Sequence, residues 1–190
     1  MVLNIADTWR PADRSAGAFY DIGLIIAGSV LIALSAQLSF QIGPVPITGQ
    51  TFGVLVVGAL LGWQRGGAAV ITYLLEGGMG LPVFAGGAAG WPTFAGPTGG
   101  YLVGFVPAAA LVGWLAQLGW DRRFITTVFA MILGNLVIYL FGVPWLRAVL
   151  AVGWEQAFAF GLTPFIAGDL IKVVAAAVAL PLGWRLLGTK

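Results

Sequence analysis

Residues 22–64 read IGLIIAGSVLIALSAQLSFQIGPVPITGQTFGVLVVGALLGWQ, without one formally charged side chain. A helix needs about 20 apolar residues to cross a bilayer core, so this run is long enough to cross about twice. Gly43-Pro44-Val45-Pro46 interrupts it, which predicts one span over 22–41, a loop over 41–50, and a second span over 47–63. Arg65 then punctuates the chain. A third span is expected over 66–76, before Gly77-Gly78-Met79-Gly80-Leu81-Pro82 loosens the helix.

Working outward, 81–97 is rich in Gly, Pro and aromatic residues and reads as a non-helical loop. A fourth span is expected over 98–119, a polar turn at Asp121-Arg122-Arg123, and a fifth span over 124–141. The mixed stretch 142–163 predicts short interfacial helices, and Pro164 suits the first turn of a sixth span over 164–183. The expectation is an all-α integral membrane protein of six transmembrane helices with structured outward loops. It forms a single domain over 1–190, with 1–21 as a cytoplasmic N-terminal segment.

Composition agrees with that class: 59% of the 190 residues are hydrophobic and 8% are charged, against roughly 25% charged in soluble domains. Residues 1–21 carry charges of both signs, unlike the short basic start of a cleavable signal. Cysteine and histidine are absent, which removes disulfides, thiolate nucleophiles, the usual zinc sites and Ser-His triads. The net charge of +2 comes from scattered residues, so nucleic acid is not an expected partner. Basic residues set the orientation. With a cytoplasmic N-terminus, that side holds Arg10, Arg14, Arg65, Arg122, Arg123, Arg185 and Lys190, whereas the other connections hold Arg147 alone. Both termini are then cytoplasmic, and the loops over 41–50 and 81–97 face outward.

The residues best placed for chemistry are Asp169 and Lys172, three apart inside the last apolar stretch and therefore on one helical face. Charges in hydrocarbon cost several kcal/mol on most scales and usually face a bundle interior, where they pair or serve function. Such a pair can neutralise itself, or it can grip one polar ligand, the carboxylate accepting N–H donors and the ammonium donating to an oxygen. Glu76 either lines the same cavity or snorkels to the interface, and Asn135 either bonds another helix or reaches the ligand. Uncharged polar groups in the loops, namely Thr48, Gln50 and Thr51, then Thr93, Thr98 and Tyr101, stand among Phe84, Trp91 and Phe94. That mixture suits a pocket for a small amphipathic ligand. Small residues recur at helical spacing at Gly58, Gly62 and Gly66, at Gly96, Gly100 and Gly104, and at Ser29 and Ala33, as in helices that pack closely in lipid.

Four segments resemble, in order, the motifs of a known family: 43–51 (GPVPITGQT), 80–87 (GLPVFAGG), 96–101 (GPTGGY) and 168–172 (GDLIK). The family is BioY, the biotin-binding membrane components of energy-coupling factor (ECF) transporters, and the resemblance runs over about 22–183. It implies a six-helix capture subunit in the bacterial cytoplasmic membrane, with high affinity for biotin and with the first and third loops covering an outward site. It maps a polar pair that contributes to biotin binding onto Asp169 and Lys172. Biotin carries two ureido N–H donors, a ureido carbonyl, an apolar thioether ring and a carboxylate tail; whether Lys172 meets the carbonyl or the tail stays open. The resemblance also implies that a small-xxx-small ridge on span one, here Ser29 and Ala33, docks on a membrane-embedded coupling protein. No Gly-x-x-x-x-Gly-Lys-Ser/Thr motif is present, so an ATP-driven step belongs to partner subunits. No cofactor or metal is expected.

Three alternatives carry less. A sibling component for another small vitamin shares the architecture and differs in a few side chains. An intramembrane aspartyl enzyme needs two carboxylates at one site, for which only Glu76 is available beside Asp169. An ion pathway needs a string of ionisable groups across the bilayer.

Overall fold

The computed structural model describes residues 4–188, so Lys190, counted above among the basic residues, lies outside the described residues. Helix α1 (Arg14–Gln37) starts earlier than the uncharged run because Asp13 caps it, accepting from the Ala16 N–H at 2.9 Å. Its early charge, Asp21, is neutralised by Arg10 at 2.9 Å and Arg65 at 2.8 Å. Strands β1 (Ser39–Phe40) and β2 (Ile47–Thr48) pair antiparallel, so the loop expected over 41–50 is the tip of a short β-hairpin.

Helix α2 (Gln50–Gly78) covers both the second and third expected spans, and it doubles back within that range. Gly62 takes φ +81° and ψ 173°, a region open in practice only to glycine. Gln50 Nε2 reaches the Tyr73 hydroxyl at 2.6 Å although 23 residues separate them, where a straight helix would hold them roughly 35 Å apart. The arms pack so closely that a Cβ on Gly66 would lie 2.8 Å from Gly58 Cα.

The loop over 81–97 is irregular as expected, apart from a 3-10 turn (Ala85–Gly87) and the short α3 (Trp91–Ala95). Helix α4 (Gly99–Gln117) follows, then a 3-10 turn (Trp120–Arg122) and α5 (Phe124–Leu150). Helix α5 runs through Pro144 well past the expected end at 141, as membrane helices can when neighbours satisfy the freed carbonyl. The interfacial helices expected over 142–163 therefore reduce to α6 (Trp154–Gly161). A turn (Thr163–Phe165) leads into α7 (Ile166–Leu186).

Among the described residues, five stretches are long and apolar enough to cross a membrane: Arg14–Gln37, Gln50–Gly78, Gly99–Gln117, Phe124–Leu150 and Trp154–Leu186. This number takes the doubled-back α2 as one. Helix α4 is central, packed between α2 and α5. Small residues make its seams: a Cβ on Gly58 would lie 2.5 Å from the Ala109 carbonyl, and one on Gly113 would lie 2.5 Å from Gly62 C and Trp63 N. Large side chains such as Ile32, Val57, Tyr73, Phe84, Val112 and Ile138 fill the core between these seams.

The two ends differ. At one, the 3-10 turn Ile5–Trp9 lies under the α2 reversal, where Asn4 donates to the Leu61 carbonyl at 3.2 Å and Arg65 binds Asp7 at 2.8 Å. At the same end Trp184 donates to buried Asp121 at 2.6 Å. The β-hairpin, α3 and the glycine-rich loop gather at the other end.

Candidate functional site

Beneath the β-hairpin and the 81–97 loop lies a cavity of about 430 Å³, within the range of small-molecule sites. The hairpin and the start of α2 contribute Pro44, Val45, Pro46, Thr48, Gln50 and Thr51. Phe84 is seated by local packing: its ring covers Gly77, where any side chain would collide with it, and it meets Tyr73 and Phe94 edge-on at 5.4 and 5.5 Å. The Gly77 carbonyl accepts from Gly90 N at 2.7 Å, and the Gly96 carbonyl accepts from Trp145 Nε1 at 2.9 Å. These bonds fasten the loop to α2 and α5.

The floor is aromatic and charged. Tyr101, Tyr139 and Phe165 form a triangle of rings with centroids 6.4 to 6.5 Å apart. Tyr101 spends its hydroxyl on the Gly161 carbonyl at 2.8 Å, so it offers the cavity its ring. Lys172 also lines the cavity, and its ammonium donates to Thr51 Oγ1 at 2.9 Å and Asp169 Oδ1 at 3.2 Å. An ammonium has three N–H donors, so one is left over.

Asp169 is buried behind this wall, with one carboxylate oxygen accepting from Lys172 and the other from the Tyr139 hydroxyl. It braces two cavity-lining side chains and is not itself among the lining residues. Of the site residues named from the sequence, Thr48, Gln50, Phe84, Tyr101 and Lys172 line this one cavity. Glu76 is elsewhere, accepting from Ser29 Oγ at 3.1 Å between α1 and α2. Asn135 is buried beside a narrow crevice that it shares with Thr51 and Lys172. Ser29, expected on an outer ridge, is fully buried against α2, and Ala33 packs on the core. Sequence reasoning missed Tyr139, whose signal was its place one turn after Asn135 on the same face of α5.

The BioY family model matches residues 11–189. The biotin transporter BioY of Thermotoga maritima is 42% identical, covering 84% of this chain and 94% of that one. The biotin transporter BioY of Rhizobium etli is 40% identical over 86% and 92%, and the probable biotin transporter BioY of Pyrococcus horikoshii 38% over 83% and 92%. Among solved structures, the S-component for biotin from an ECF-type ABC transporter superposes with a TM-score of 0.82 at 27% identity, covering 94% of this chain and 96% of that one. With a family match over nearly its whole length, relatives 38 to 42% identical and the same fold, the chain belongs to the BioY family.

Proposed function

We propose that this protein captures biotin at the outer face of the cytoplasmic membrane and delivers it inward as the substrate-specific component of an ECF transporter. The carrying observation is the cavity itself, where an aromatic and proline-rich wall adjoins Lys172, held by Thr51 and Asp169 with one N–H to spare. The rings suit biotin's bicyclic body, and the spare donor suits its ureido carbonyl or its carboxylate. Asp169 acts through Lys172 and Tyr139. Coupling protein and ATP-binding subunits supply the energy, since the chain has no phosphate-binding loop.

The reversal at Gly62 supports six crossings, α2 making two of them, with both termini at the cytoplasmic end. Arg10, Arg14, Arg65, Arg122, Arg123 and Arg185 at that end support the orientation. Lipid covers the apolar outer faces, and partner docking falls on α1, whose Phe19, Ile22, Ile26 and Leu34 are exposed. The small positions on this face are Gly23 and Ala27, with open space beside Gly23. The test is equilibrium binding of biotin to purified protein with thiamine and riboflavin as competitors. Selective biotin binding is expected, and displacement by either competitor would transfer the site to another vitamin. Gly23→Leu should leave that binding intact while reducing co-purification with the coupling protein; unchanged co-purification would remove this face from docking.

A further inference from the structure

We infer that Gln50 meets the ligand as a hydrogen-bond acceptor, and that Gln37 on α1 fixes this polarity through Val83 and Tyr73. The inference rests on the biotin reading of the cavity and adds a residue outside it that tunes selectivity.

Gln50 begins α2 and lines the cavity, with its backbone N–H held by Thr48 Oγ1 at 3.2 Å. Its Nε2 lies 2.6 Å from the Tyr73 oxygen, which lies 3.2 Å from the Val83 carbonyl oxygen. A carbonyl only accepts, so the single Tyr73 proton goes to Val83, and the hydroxyl oxygen is left to accept. Gln50 must then turn its NH₂ inward, and its Oε1 is free for the ligand. The reverse amide orientation would take the Tyr73 proton for Gln50 and lose the bond to Val83. In a buried network the arrangement that makes both bonds is favoured.

The far end of the chain is Gln37. Its Nε2 shares two N–H donors among three carbonyls, those of Val83 and Phe84 at 3.3 and 3.2 Å and that of Ala33 in its own helix at 3.2 Å. The bonds to Val83 and Phe84 tie α1 to the loop and hold the Val83 carbonyl where Tyr73 can reach it. Lys172 gives the cavity a donor, and Gln50 gives it an acceptor that calls for an N–H. Of biotin's groups, the ureido nitrogens provide one. Gln37 is thus a positioning residue: it touches no ligand, yet it sets which way Gln50 points.

The experiment compares binding of biotin with that of two analogues, each methylated on one ureido nitrogen. The proteins are wild type, Gln37→Leu, Tyr73→Phe and Gln50→Glu. Wild type should reject one analogue by about tenfold, the worth of one good hydrogen bond. Tyr73→Phe releases the amide and should shrink that ratio to about threefold or less, with Gln37→Leu shrinking it in the same direction. Gln50→Glu, which keeps an acceptor, should retain the discrimination. Gln37 is exposed at the end of α1, so its replacement leaves the packed core untouched. Biotin and analogue weakened equally in Gln37→Leu and Tyr73→Phe would overturn the inference, since plain structural support acts on both alike. Wild-type protein that binds no biotin would remove the reading of the cavity, and this inference with it.

Discussion

The two ends of the bundle both concentrate polar side chains, but they use them in opposite ways. At the end holding the chain termini, Asp7, Asp21, Arg10 and Arg65 answer one another, Asn4 answers Leu61, and Trp184 answers Asp121. At the cavity end, Lys172, Gln50 and Tyr139 line open space; Asp169 and Tyr73 hold them from behind, and Thr51 holds Lys172 from within the lining. Polar groups in a membrane protein are therefore no guide to function by themselves. What distinguishes the ends is how the polar groups are matched: around the recess lined by Asp7, Arg10, Asp21 and Arg65 opposite charges pair with one another, whereas at the other end Lys172 and Gln50 face a cavity whose wall is mostly apolar. Substitutions at the cavity end should change ligand affinity, and those at the other end should change stability at constant affinity.

The largest expected effect is at Lys172. Lys172→Met removes a charged donor, worth about 1.5–3 kcal/mol to a ligand, so biotin should bind about ten- to a hundredfold more weakly. It also leaves Asp169 without its cation, which costs about 3 kcal/mol of stability by the behaviour of broken buried pairs. Adding Asp169→Asn removes the stranded charge, so the double variant should regain most of the melting temperature and none of the affinity. Calorimetric titration together with thermal unfolding separates the two quantities. Recovery of affinity in the double variant would show that Lys172 holds the fold and not the ligand.

Much of this end was readable in the sequence, because its chemistry is local. The GPVP, GLPVF and GPTGGY segments announce loops where helices would otherwise continue, and they carry Thr48, Gln50, Phe84 and Tyr101 into the cavity. Lys172 stands out as an ionisable group in hydrocarbon. What the sequence hides is register between helices. Glu76 and Asn135 look alike as polar residues in apolar runs, yet one bonds Ser29 across α1 and the other borders the crevice below Lys172. Ser29 and Ala33 have the spacing of an outer ridge, and only the rotation of α1 against α2 turns them inward. Tyr139 is one ring among many until Asp169 is found against its hydroxyl.

At the opposite end the comparison is sharpest at Gly62, where φ is +81° and a Cβ would meet Asn4 Nδ2 at 2.5 Å and Gln117 Nε2 at 2.7 Å. Gly62→Val combines a strained backbone with that collision and should cost about 3 kcal/mol. Thermal unfolding should show the loss, while the fraction that stays folded binds biotin with unchanged affinity. A shifted affinity would mean that the reversal of α2 is coupled to Gln50 at the far ends of its arms, and the separation of the two ends would fail.

The smallest effect is a pH dependence at Asp121. This carboxylate lies in the turn between α4 and α5, and burial raises its pKa from 3.8 to about 6 despite the bond from Trp184 and the nearby Arg122. A carboxyl group with a raised folded pKa binds more protons when folded than when unfolded across that window, so stability is greatest below it and falls as pH rises. A shift of about two units corresponds to at most roughly 3 kcal/mol, lost between about pH 4 and pH 6. Asp121→Asn keeps an acceptor for Trp184 without a charge, and its melting temperature should be flatter across this range than that of wild type. Parallel pH profiles for the two proteins would exclude titration of Asp121 there. Biotin affinity measured over the same pH range should not follow the stability curve, because Asp121 lies at the end of the bundle opposite the cavity and is not among its lining residues.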